Sequence, residues 1–99
     1  MTAIVLSAHA LDELERILAH RVEHGAGDAG ERLADIIAAL DVLERNPMIG
    51  RPAELGLREL VIGRGARGYV ALYEYRAEID EVRVAAVRGQ REAGYGPAR

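Results

Sequence analysis

The chain has 99 residues, 49% hydrophobic and 29% charged, with no Cys. The expectation is one domain over 1–99 with a small core; a second domain, a disulfide scaffold, a thiolate metal centre and wholesale disorder are excluded. All 13 basic residues are Arg, and the net charge of −3 excludes nucleic-acid binding driven by bulk positive charge.

Thr2–Leu6 is short, apolar and β-branched, and reads as a strand. It lacks a basic leader, and no run approaches the ~18 apolar residues of a membrane span, so the expected location is the cytoplasm, with no membrane partner. Ser7 is a candidate N-cap for a first helix, whose apolar stripe is Leu11, Leu14, Leu18 and Val22, widened by Ile17. Asp12 and Glu13 sit in its early turns, where the helix dipole favours acids. Gly25 and Gly27 stop it. A second helix starts near Asp28, which has capping-box spacing to Glu31. Its apolar face is Leu33, Ile36, Ile37, Leu40 and Leu43, and Pro47 ends it.

Period two then takes over. Leu57–Ile62, Tyr69–Tyr75 and Glu81–Val87 read as strands linked by 63–68 and 77–80, an antiparallel meander. Residues 89–99 read as an irregular tail. The expected architecture is α+β, in the order β-α-α-β-β-β, with a helical hairpin packed on one face of a mainly antiparallel sheet.

Charge divides along the chain. Residues 1–46 hold nine acids and four Arg; residues 47–99 hold seven acids and nine Arg. An anion site is therefore expected in the second half. Asn46–Pro52 (NPMIGRP) is a stiff turn in which Arg51 is either an anion contact or a solvated loop charge. GRGARG at 63–68 is followed by a strand, whereas a phosphate loop leads into a helix, so it reads as a hairpin connection. Tyr69, Tyr73 and Tyr75 share one sheet face and are read as core rather than as a base-stacking platform. His20 and His24 have i, i+4 metal spacing without a third ligand, so no metal or other cofactor is expected.

Arg58, Arg67, Arg88, Arg91 and Tyr95 form the main constellation. Arginine clamps phosphate bidentately, and tyrosine stacks or donates a proton. Cleavage of RNA by 2′-OH attack also needs a base with a near-neutral pKa, and the second half has no His. On residues alone this is an anion or partner surface.

Four stretches resemble the RelE/ParE superfamily of bacterial type II toxins: the helical hairpin ending at NPMIGRP (46–52), LRELVI (57–62), YVALYEY (69–75) and VRGQREAGY (87–95). With the first strand, the resemblance covers about residues 2–95. It implies the β-α-α-β-β-β toxin fold and a cognate antitoxin whose C-terminal segment is disordered when free and wraps the toxin. It places Arg58 and Arg67 where relatives carry functional arginines, and Arg88, Arg91 and Tyr95 in the segment that is catalytic in ribonuclease members. Gly89 stands where many members have His, Lys is missing, and the balance is acidic. These departures favour a ParE-like, non-enzymatic toxin that inhibits growth by protein–protein contact with DNA gyrase. They count against a RelE-like, ribosome-dependent mRNA endoribonuclease. An inactive relative retained for antitoxin binding is a third reading. Plasmid stabilisation is the biological role such toxins imply.

Overall fold

The chain leaves its first strand, β1 (Ala3–Leu6), through Ser7 and enters α1 (Ala8–Glu23). The Ser7 hydroxyl oxygen accepts the Ala10 N–H at 3.0 Å, and the Ser7 carbonyl accepts the Leu11 N–H at 3.0 Å. This is the N-cap expected from sequence. The computed structural model describes residues 2–23, 29–63 and 68–89, so Gly25, Gly27 and Asp28, read as helix stop and cap, lie outside the described residues. The second helix, α2 (Ala29–Arg45), ends two residues before Pro47, as the proline requires.

Four further strands follow: β2 (Arg51–Pro52), β3 (Arg58–Ile62), β4 (Tyr69–Arg76) and β5 (Glu81–Gly89). The sheet order is β1-β5-β4-β3-β2. β2/β3, β3/β4 and β4/β5 pair antiparallel, and β1 pairs parallel to β5. The strands flanking 63–68 thus pair antiparallel, with Ile62 opposite Tyr69. The sequence reading missed β2, because a two-residue strand ending in proline has no period to detect; proline is tolerated there because the strand is an edge. It also ended the last strand two residues early, at Val87.

Both helices cover one face of the sheet. Ala10 and Leu14 of α1 and Ile36, Leu40 and Leu43 of α2 close over Ile62, Tyr69, Ala71, Tyr73, Val82, Val84 and Val87. The expected α2 face holds except at Ile37, which is exposed; the α1 stripe is rotated, with Leu11 and Val22 exposed and Ala10 in the central place against the sheet. Of the three same-face tyrosines, Tyr69 and Tyr73 are buried and Tyr75 packs at the margin, as the core reading expected.

One irregularity sets the side chains of the last strand. Leu72 pairs with Ala86 but Tyr73 pairs with Val84, so Ala85 is an extra residue, a β-bulge. Val82 and Val84 face the helices before it and Val87 after it. Without the bulge, strict alternation would put Arg88 on the helix-covered face.

A clasp ties the start of β1 to the connection between β4 and β5. The Thr2 hydroxyl and the Tyr75 hydroxyl both donate to Asp80 Oδ1, at 2.7 and 2.8 Å, and the Ala3 N–H donates to the Asp80 carbonyl at 3.1 Å. The two hydroxyl donors, Thr2 first, hold the Asp80 carboxyl below its ordinary value. The same bond pushes the Tyr75 phenol up.

Candidate functional site

The described arginines among those singled out in the sequence, Arg51, Arg58 and Arg88, do not converge. Arg51 lies on edge strand β2, where its Nη2 is 2.7 Å from Glu59 Oε1 on the paired position of β3. Arg58 is half-buried on β3, on the face shared with Leu60 and Ile62. Its Nη1 donates to the carbonyls of Gly50 (2.7 Å) and Met48 (3.2 Å). It therefore holds the 46–52 turn. Arg88 lies two strands away and three residues along, about 14 Å from Arg58 by sheet spacings, and belongs to the opposite face. Arg67, Arg91 and Tyr95 lie outside the described residues.

The turn itself is built to close tolerance. The Gly50 N–H donates to the Tyr73 hydroxyl at 2.8 Å in the buried interior. A Cβ at Gly50 would lie 2.7 Å from Tyr73 Cε1 and Oη and 2.8 Å from the Glu59 carbonyl, so only glycine fits. Held from below, the turn and the hairpin after it present exposed apolar side chains: Met48, Ile49 and Leu55. Leu55, at the tip, is 94% exposed with φ 61°.

Around Arg88 the structure gathers residues that sequence reasoning left on a helix. β1 covers β5 only as far as Val84. Beyond it the open edge is met by Ser7, whose N–H donates to the Val84 carbonyl (2.9 Å) and whose hydroxyl donates to the Ala85 carbonyl (3.1 Å). Glu13 comes next: its Oε1 accepts the Val87 N–H at 3.0 Å, and Arg88 Nε lies 3.5 Å from Oε2. His9 Nε2 lies 3.4 Å from the same Oε1. The His9–Glu13–Arg88 group joins the acidic helical half to the Arg-rich half. Glu13 was visible in the sequence only as an acid favoured by the helix dipole. Its i, i+4 spacing to His9 was a local signal, but its pairing with Arg88 spans 75 positions and has none.

Among the described residues no group of three or more His, Asp or Glu could hold a metal ion. No described helix is long and apolar enough to cross a membrane.

No curated protein matches the chain. Among solved structures, a chain of the chromosomal ParDE toxin–antitoxin system from P. aeruginosa superposes with a TM-score of 0.74 at 24% identity, covering 90% of this chain and 96% of that one. A chain of the RelBE2 toxin–antitoxin complex from Mycobacterium tuberculosis superposes with a TM-score of 0.52 at 25% identity, covering 89% and 96%. These likenesses agree with the fold of two helices on a five-stranded mixed sheet. The family model described as the ParE toxin of the type II toxin–antitoxin system parDE matches residues 4–94. The match covers most of the chain, which belongs to the ParE toxin family of the RelE/ParE superfamily, the toxins of type II toxin–antitoxin systems.

Proposed function

We propose that this toxin is neutralised by a cognate antitoxin and arrests growth in the cytoplasm by protein–protein contact with DNA gyrase, without catalysing a reaction. The family match over residues 4–94 carries the reading. The use of Arg58 supports it: a guanidinium committed to the Gly50 and Met48 carbonyls has fewer donors to spare for a scissile phosphate. An antitoxin partner is supported by the solved neighbours, which come from toxin–antitoxin systems, and by the exposed apolar residues Leu11, Val22, Ile37 and Val42 on the helices. Within this reading Arg88, Arg91 and Tyr95 contact the target. Arg51, Arg58 and Arg67 serve target or antitoxin binding, Arg58 by shaping the turn that presents Met48 and Ile49.

One observation favours the enzymatic alternative, a ribosome-dependent mRNA endoribonuclease using Arg58, Arg67, Arg88, Arg91 and Tyr95. His9 is brought to Glu13 beside Arg88, which supplies a histidine that the second half of the sequence lacks. Purified toxin added to gyrase supercoiling and to a translating extract separates the two. The expected result is inhibited supercoiling with intact mRNA. Cleaved mRNA with supercoiling untouched overturns the gyrase reading in favour of the enzyme, and neither effect favours a relative kept for antitoxin binding.

A further inference from the structure

Glu13 stands where three parts of the fold meet, and none of the motifs includes it. Its side chain is only 13% exposed, against 60% for His9 and 44% for Arg88. A carboxylate on a helix surface is ordinarily solvated. Here it is turned inward to accept the Val87 N–H on the stretch of β5 that β1 leaves uncovered. That bond fixes the Ala86–Val87 peptide, one residue before Arg88. The contact between Glu13 Oε2 and Arg88 Nε fixes one side of the guanidinium. An arginine engaged through Nε keeps its two Nη groups as a bidentate donor for an outside acceptor. His9 lies against the same carboxylate from the preceding turn of α1 and adds a second positive neighbour when protonated. Asp12 is drawn off by Arg16, at 3.8 Å on the exposed side of the helix.

We propose that Glu13 is a positioning residue for the toxic surface: it holds the end of β5 and aims Arg88 at the target, so that growth arrest depends on a helix residue as much as on the C-terminal motif. This rests on the reading that Arg88 and the stretch after it contact the target. It adds that the contact is organised from α1, by one carboxylate acting on a backbone N–H and a guanidinium together.

The test uses the full chain, with Glu13→Ala, Glu13→Gln and Arg88→Ala. Three quantities are measured for each: the inducer level that arrests growth without antitoxin, affinity for the cognate antitoxin, and the thermal midpoint. Glu13→Ala is expected to need about tenfold more toxin for arrest, the factor expected for losing one charge-assisted contact, with antitoxin affinity kept. Glu13→Gln keeps one oxygen to accept the Val87 N–H but turns its NH2 donor toward Arg88, so it is expected to recover only the part of the loss that the backbone bond accounts for. Arrest by both variants at the wild-type inducer level overturns the proposal, and so does a parallel loss of arrest and antitoxin affinity, which marks Glu13 as general support for the fold. If Glu13→Ala does not fold, Glu13→Gln decides: weaker arrest with antitoxin affinity kept supports the proposal, and unchanged arrest overturns it. Arg88→Ala that leaves arrest intact, or a wild-type chain that arrests nothing, overturns the target reading and this inference with it. Arg88→Ala that abolishes arrest while both Glu13 variants retain it overturns the inference alone.

Discussion

Tyr73 is the most informative single residue. Its ring is fully buried in the core, and its hydroxyl accepts the Gly50 N–H that the turn would otherwise bury unpaired. Tyr73→Phe keeps the ring and removes the acceptor. It is expected to destabilise the protein by about 1–3 kcal/mol, the cost of an unsatisfied buried donor, measured by urea unfolding. Gly50→Ala introduces a Cβ into space already filled by Tyr73 and the Glu59 carbonyl, and a loss of about 1–3 kcal/mol is expected. An unchanged urea midpoint for both variants would mean that the turn is not locked to the core. Each residue was readable alone, Gly50 as part of a stiff turn and Tyr73 as core. The bond between them, across 23 positions, was not. Arg58 shows the same limit: its type suggested an anion, and its neighbours turned it to two carbonyls.

Among elements, the β2–β3 hairpin shows a local conflict. Its tip is closed by Ala53 N–H to the Leu57 carbonyl (2.8 Å) and Leu57 N–H to the Glu54 carbonyl (3.1 Å). That turn places Leu55 and Gly56 at positive φ, 61° and 73°. Glycine adopts this conformation freely; leucine pays roughly 1–2 kcal/mol for it and here buries almost nothing in return. Leu55→Asn is expected to stabilise the chain by about 0.5–1 kcal/mol, seen as a thermal midpoint a few degrees higher. A fall in the midpoint would show that Leu55 packs in solution. The bulge in β5 leaves a local trace in the sequence that the period-two reading passed over. Val82, Val84 and Val87 break period two between 84 and 87, the place where Ala85 is inserted. That break reverses the facing of Arg88.

At the scale of the molecule, parallel pairing sets β1 as the edge strand beside β5, and the Thr2–Asp80–Tyr75 clasp fastens it there across 78 positions. Asp80 titrates below its ordinary value in the folded chain, so the unfolded chain takes up its proton first as pH falls. The contribution of this carboxylate is complete above the unfolded carboxyl pKa and disappears as pH falls through the lower, folded value. Asp80→Asn, which tolerates the left-handed backbone at this position (φ 49°), is therefore expected to be less stable than wild type at neutral pH. The difference should shrink through the carboxylate range, followed by urea midpoints at stepped pH. A constant difference at every pH would show that the Asp80 charge plays no part. The Tyr75 phenol is raised by the same hydrogen bond, so the clasp also weakens in alkali as that phenol ionises.

The sequence by itself determined the elements and their class. Apolar spacing of three and four made two helices, period two made the long strands, Ser7 and Pro47 set helix ends, and the order of motifs pointed to the toxin superfamily. These are local signals, carried within a few residues by backbone geometry and side-chain periodicity. Tertiary structure decided which edge β1 joins, which face of each helix is buried, and which charges meet. Arg58 closes a turn, Arg88 meets Glu13 rather than Arg58, and His9 arrives beside Arg88 because α1 crosses the uncovered end of β5. These pairings depend on distances between residues far apart in the chain, and no period or composition encodes them.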